Sequence, residues 1–134
     1  MTARTHRVDI QVRFSDTDAM GHLNNTTFST YAEVGRLAFF ASLGEELRTM
    51  ILARLATDFR RQVRLGEAVV VETQVERIGR SSIGLTQRIL ADGVLAADVK
   101  SVVVWFDYAA ATAKAIPDEI RERLTPYVMD VAGA

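Results

Sequence analysis

The run from Asn25 to Gly44 constrains the fold more than any other stretch of the chain. Phe28, Tyr31, Ala32, Gly35, Ala38 and Phe39 recur at helical spacings of three and four. Val34, Leu37, Phe40 and Leu43 extend the apolar surface nearly all round. A helix apolar on most sides needs cover from several directions and belongs in an interior. Gly44 is the expected C-cap, and Gly35, in mid-helix, predicts close approach of another backbone.

The cover is visible in the remaining sequence. Val8, Ile10, Val12 and Phe14 alternate with polar neighbours, which predicts a half-buried strand over Val8–Phe14 ahead of the helix. Four more strands are predicted over Leu52–Val63, Ala68–Ile78, Ser82–Ala91 and Leu95–Asp107. They are punctuated by Leu65-Gly66-Glu67, by Gly79-Arg80-Ser81 and by Asp92-Gly93, a strong hairpin signal. Short connections of this kind join antiparallel neighbours. A last helix is expected from Pro117 towards Tyr127, with Asp118 and Glu119 in its first turn, and 128–134 read as a loose tail. The order predicts an α+β domain over 1–134, with its core in about 8–125: five long antiparallel strands in a curved sheet wrapped round one central helix. Sheet edges left over from that arrangement make a homodimer, or a homotetramer of paired dimers, the expected assembly.

Composition narrows the function classes. Net charge is −1, with no basic segment to draw the chain to nucleic acid. Cysteine is absent, which removes disulfides, thiolate metal sites and cysteine nucleophiles. No run is long and apolar enough for a membrane span, and MTARTHR is not followed by a secretory apolar segment, so a cytoplasmic location is expected. All but Lys100 and Lys114 of the 16 basic residues are Arg. Arg suits bidentate contact with phosphate or carboxylate, and codon usage accounts for the same bias, so composition alone decides nothing here.

The chemistry-bearing residues concentrate between the first strand and the helix, in Asp16-Thr-Asp18-Ala-Met20-Gly21-His22-Leu-Asn24-Asn25. The first positions resemble a calcium loop, but Met20 and Thr27 stand where ligands belong, and no metal is expected. No Gly-x-Ser-x-Gly elbow supports a serine nucleophile. Asp and Asn before a helix also suit an N-cap. A helix beginning near Asn24 or Asn25 leaves its first N–H groups unpaired and partly positive. These amides can polarise a carbonyl, and Asp18 beside them can act as nucleophile or general base.

The segment Phe14-Ser-Asp-Thr-Asp-Ala-Met-Gly-His-Leu-Asn-Asn-Thr-Thr-Phe28, in this order of elements, resembles the hot-dog fold. Within it the chain is similar to acyl-CoA thioesterases of the 4-hydroxybenzoyl-CoA type. Tyr-Ala-Glu-Val-Gly-Arg at 31–36, Arg-Leu-Gly-Glu at 64–67 and Glu-Arg-Ile-Gly-Arg-Ser-Ser-Ile at 76–83 extend the resemblance. It implies hydrolysis of an acyl-CoA thioester, with coenzyme A as part of the substrate and no other cofactor. It further implies that Asp18 is the catalytic carboxylate and that the N–H of Asn25 polarises the carbonyl, with Gly21 and His22 lining the loop. The turn carrying Arg77, Arg80, Ser81 and Ser82 is implied to touch the nucleotide part of coenzyme A, for which Arg forks and hydroxyls suit the phosphates. Asp16 is expected to bond loop amides, and Glu33 to pair with Arg36 at i,i+3. Two positions depart from the family pattern: Phe28 stands where Tyr is common, and Gln62-Val63 where Pro is frequent. Two rival readings remain at this level, a non-catalytic acyl-CoA binder or sensor, and a hot-dog hydratase or dehydratase with a His base.

Overall fold

In the computed structural model, residues 2–45 and 49–129 are described. The strands are β1 (His6–Ile10), β2 (Met50–Phe59), β3 (Val69–Ile78), β4 (Ser82–Ala91), β5 (Val94–Asp107) and the two-residue β6 (Thr112–Ala113). The helices are α1 (Asn25–Ser42) and α2 (Asp118–Leu124), the latter tightening into a 3-10 turn over Thr125–Tyr127. The main ladder is antiparallel throughout, in the order β1-β3-β4-β5-β2, with β6 hung on β5. Asp92 and Gly93 both take positive φ, 48° and 78°, as the tight turn between β4 and β5 requires.

Element ends depart from the alternation where a ladder partner runs out. The first strand spans His6–Ile10 instead of Val8–Phe14, because its register with β3 ends at the pair Ile10–Val69. Val12 stays buried, but Phe14 opens a 3-10 turn (Phe14–Asp16) and is exposed. Likewise β2 stops at Phe59 rather than Val63. Arg60 N and Arg61 N both donate to Ala96 O, at 2.7 and 3.1 Å, so two residues oppose one and the strand terminates. The loose tail expected over 128–134 is tied down at its start, where Val128 bridges to Val75 and Met129 N donates to Val75 O at 2.8 Å, and 130–134 lie outside the described residues.

α1 crosses the inner face of the sheet. Its N-terminal part packs Phe28, Tyr31 and Ala32 against Val63, Val71, Ile89 and Val99, and its C-terminal part packs Phe39 and Phe40 among Val75, Leu85, Val103 and Trp105. Gly35 is the point of closest approach. A Cβ there would lie 2.5 Å from Val71 Cγ1 and 2.8 Å from Gln87 Nε2. Gln87 is committed, donating to Ala32 O and Thr73 Oγ1 at 3.0 and 3.1 Å. Gly35→Ala is therefore expected to destabilise by about 1–3 kcal/mol, the range for overpacking, read as a lower urea midpoint at unchanged slope.

The helix is not covered on every side. Glu33 and Val34 are exposed on the side facing β2. β2 is itself an edge strand, exposed from Leu52 to Ala56, with Leu52, Leu55 and Phe59 bare. The expected Glu33–Arg36 ion pair is also absent among the described residues. Arg36 turns inward and is buried, whereas Glu33 stays in solvent.

Candidate active site

The loop between β1 and α1 is held by short-range bonds that its own sequence supplies. Asp18 N donates to His22 O (2.7 Å), Gly21 N donates to Asp18 O (3.1 Å), and Thr17 pairs with Leu23 in a single bridge. Asp18 Oδ1 accepts the amides of Met20 and His22 at 2.8 and 3.1 Å. Gly21 closes the turn at φ +79°, a conformation that suits glycine. A second layer docks the loop on the β2–β3 connection, through Leu23 N to Val63 O (2.6 Å) and a bridge between His22 and Arg64.

Asp16 anchors this loop from below. It is buried, and its Oδ2 accepts from Tyr31 Oη at 2.7 Å and from Arg13 N at 3.0 Å, while Oδ1 accepts from the Arg13 guanidinium at 3.1 Å. Its carbonyl receives Asn24 N at 2.9 Å and Thr27 Oγ1 at 3.3 Å. Burial pushes the Asp16 carboxyl upward, but Arg13 N–H, the Tyr31 hydroxyl and the Arg13 guanidinium together hold it below the usual carboxylate range. Burial and the Asp16 charge in turn push the Tyr31 hydroxyl well above its ordinary value. Tyr31, on one face of the helix, thus fixes where α1 starts relative to Asp18.

Asn24 caps α1. Its Oδ1 accepts Thr26 N at 3.4 Å and its carbonyl accepts Thr27 N at 2.9 Å. The cap thereby uses the amides of the second and third helical residues. The N–H of Asn25, the first, has no acceptor within the helix. Asp18, His22, Leu23, Asn25 and Phe28 line one cavity of about 360 Å³ with Phe59, Arg60, Arg61 and Gln62 from the far end of β2. A carboxylate and a helix N-terminus thus converge on a space large enough for a small acyl group and its thioester.

Sequence comparison matches residues 12–124 to the thioesterase-like superfamily. The chain belongs to this superfamily. Its fold is that of solved members. A predicted thioesterase from Bacillus stearothermophilus is 33% identical with a TM-score of 0.88, over 95% of this chain and 98% of that one. A Thermus thermophilus thioesterase, complexed with coenzyme A and Zn, is 33% identical with a TM-score of 0.83, over 88% of this chain and 90% of that one. Among curated proteins, the chloroplastic acyl-acyl carrier protein thioesterase ATL3 of Arabidopsis thaliana is 25% identical over 92% of this chain and 69% of its own length. The uncharacterized protein YsmA of Bacillus subtilis (strain 168) is 36% identical over 80 residues, which span 57% of this chain and about half (54%) of YsmA. Superfamily membership and these thioesterase relatives support thioester hydrolase activity and the hot-dog architecture of a curved antiparallel sheet round α1.

Against the superfamily pattern, the two departures noted in the sequence both fall in the cavity wall. Phe28 meets the Phe59 ring edge-on at 5.3 Å, an apolar contact where a Tyr would bring a hydroxyl. Gln62 puts an amide into the wall that a Pro would leave apolar. Phe59, Arg60 and Arg61 were not legible as site residues, because they come from the end of a strand distant in sequence. The two arginines do not form one patch: Arg60 pairs with Asp98 at 2.9 Å, and Arg61 with Glu67. The other histidine, His6 in β1, sits tilted against Phe39, ring centroids 5.6 Å apart, and does not line the cavity.

The second predicted cluster lies elsewhere on the protomer. The turn with Arg80, Ser81 and Ser82 is braced by α2, whose Arg121 guanidinium donates to Gly79 O and Arg80 O at 2.6 and 3.1 Å, and Trp105 N donates to Ser81 O at 2.7 Å. Trp105 pairs with Met50, whereas Ala97 pairs with Phe59 at the cavity end of β2. At about 3.3 Å per residue, the turn and the Asp18 cavity are about 25 Å apart along β5. Arg77 lies on the outer face beside Arg54 and Lys100, its side chain laid over Gly84.

Proposed function

We propose that the protein hydrolyses acyl thioesters of coenzyme A, releasing the free acid and the thiol. The observation that carries this reading is the convergence of Asp18 and Asn25, the first residue of α1, on one cavity. Asp18 Oδ1 is occupied by loop amides, and Oδ2 accepts no protein hydrogen bond among the described residues, which leaves one oxygen turned to chemistry. In the base-assisted course, Oδ2 takes a proton from water as the water oxygen bonds to the thioester carbon. The carbonyl electrons move to an oxyanion facing Asn25 N–H, and collapse breaks the C–S bond, the proton leaving with the thiol. In the covalent course, Asp18 Oδ2 bonds to the thioester carbon and the C–S bond breaks, the thiolate leaving to take a proton from solvent; water then adds to the acyl carbon of the mixed anhydride, releasing the acid and its proton and restoring the carboxylate. His22 lines the cavity, and Gly21 shapes the turn that carries it.

Coenzyme A as carrier is supported by the Thermus relative that holds it. The Arg80–Ser82 turn, with Arg77, suits its phosphates, but only a second copy brings such a turn near the site. Antiparallel pairing of two β2 edges would set the Met50 end of one protomer beside the Phe59 end of the other. The partner's turn would then stand three strand spacings away, about 15 Å. The exposed row of Leu52, Leu55 and Phe59 and the bare strand edge support such a homodimer. Leu55→Glu is expected to yield monomers by light scattering and to lose at least about 90% of turnover; an active monomer contradicts the two-copy site.

Thiol release from a panel of short-chain, long-chain and aromatic acyl-CoA esters tests the reading, with acyl carrier protein esters as a second arm. A variant with His6→Ala and His22→Ala separates hydrolysis from a His-based hydratase: retained thiol release excludes the latter. A sensor would bind the esters without releasing thiol.

A further inference from the structure

The outer face of the sheet, turned away from α1, carries its charges in pairs. Arg7 and Arg88 flank Glu72, Arg60 meets Asp98, and Lys100 meets Glu76. One place breaks this pattern. The ladder sets Arg77, Gly84, Val102 and Arg54 in a single row across β3, β4, β5 and β2. Arg77 and Arg54 stand three strand spacings apart, about 15 Å, and neither makes an ion pair among the described residues. Gly84 leaves the floor between them bare, and the Arg77 stem lies across it. A Cβ at Gly84 would sit 3.2 Å from Arg77 Cγ and 3.7 Å from its Nε. A bulge in β3 between Val75 and Arg77 brings Glu76 to the same face. Together with Lys100 these residues line a depression of about 270 Å³ that holds three cations and one carboxylate, Glu76, which Lys100 already meets at 3.6 Å. The depression shares no lining residue with the Asp18 cavity, which lies on the helix side of the sheet. A second copy paired along β2 extends the sheet in its own plane and leaves this outer face bare. Arg77, Gly84 and Lys100 stand on strands inward of that edge, and Arg54 stands on it.

We propose that this depression binds a phosphate group, held between the Arg77 and Arg54 guanidinium groups over Gly84 with Lys100 at its side. Guanidinium forks match phosphate oxygens in pairs. Cations that converge on one spot repel one another, and a multiply charged anion among them turns that repulsion into attraction. Glu76 opposes the ligand, both by its own charge and by engaging Lys100. Two sources supply this chemistry: a phosphate of coenzyme A, and a free phosphate or diphosphate that acts as an effector. Only the first source rests on the thioesterase reading; the binding itself does not.

Calorimetric titration of the intact protein with pyrophosphate, at a constant ionic strength of about 0.15 M, tests the proposal without any need for turnover. Arg77→Met and Arg54→Met are each expected to weaken pyrophosphate at least about tenfold, as the loss of a charged hydrogen-bonding partner implies. Arg77→Lys keeps the charge but not the fork and should weaken it severalfold. Glu76→Gln should tighten it. Arg88→Met is the control for diffuse surface charge. Residue 88 lies about 13 Å along β4 from Gly84, beyond the Debye length of about 8 Å, and its loss should leave the affinity unchanged. Titration of pyrophosphate into protein saturated with coenzyme A separates the sources. Binding abolished by coenzyme A identifies the carrier, and undiminished binding identifies a separate effector. If Arg77→Met fails to fold by circular dichroism, the Arg77→Lys and Arg54→Met arms decide. No heat of binding with pyrophosphate, or equal weakening by Arg77→Met and Arg88→Met, overturns the proposal. So does an Arg54→Met variant that binds like the wild type, because Arg54 would then be answering Asp58 of a second copy.

Discussion

Asp18→Asn is expected to lower thioester turnover by at least about 100-fold, the lower bound for losing a positioned base or nucleophile, while ligand affinity stays nearly unchanged. Asn is the informative replacement because its side-chain oxygen can still accept the Met20 and His22 amides that Asp18 Oδ1 accepts now. The loop and the cap at Asn24 should therefore persist. What disappears is the negative charge of a residue that lines the cavity. A loss confined to kcat means that the carboxylate acts in the transition state rather than in binding. Isothermal titration with a non-hydrolysable thioester analogue supplies the affinity side. Equal turnover in Asp18→Asn would leave the residue as a turn-former only.

Asp16→Ala is expected to damage stability and activity together. The change leaves the buried Tyr31 hydroxyl without its acceptor, which alone costs about 1–3 kcal/mol, and it frees the Arg13 amide and guanidinium. Asn24 and Thr27 would keep their bonds to the residue 16 carbonyl, but the backbone there would lose what fixes it. A lower urea midpoint and reduced turnover should appear in the same variant. Asp16→Asn should be milder and should reveal a pH signature. The folded carboxyl lies below its unfolded value, because its bonds to Arg13 and Tyr31 outweigh burial. Its stabilisation is thus present above the unfolded carboxylate pKa of about 3.9 and lost as pH falls through the folded value. Wild type should lose stability across that acid window by a contribution that Asp16→Asn lacks. Parallel pH–stability curves for the two proteins would show that the Asp16 charge is not what holds the loop.

Much of this was legible from local pattern. Alternation and the Asp92-Gly93 pair placed three of the long strands to within about a residue, because the ladder partners those strands need are supplied by short hairpins. Gly35 signalled the helix–sheet contact that Val71 and Gln87 make. The ends of β1 and β2 were not legible, since they depend on where a partner strand begins and on the Ala96 carbonyl, neither of which leaves a periodic trace. The cluster from Asp16 to Asn25 announced a polar loop at the helix start, whereas the roles given to Asp18 and Asn25 came from the family resemblance and not from spacing. Phe59 and Gln62 enter the cavity through tertiary placement, which no window of sequence reports. The i,i+3 rule paired Arg36 with Glu33, but burial won. The arginine is buried and the glutamate lies in water, so Glu33 acts on Arg36 by charge without closing the ion pair that spacing predicts.

The most direct test is thiol release from the acyl-CoA panel by wild type and Asp18→Ala, purified and assayed side by side. Release by wild type from at least one ester, reduced at least about 100-fold in Asp18→Ala, is the expected result. No release from any thioester by the wild type, or undiminished release by Asp18→Ala, would contradict the assignment.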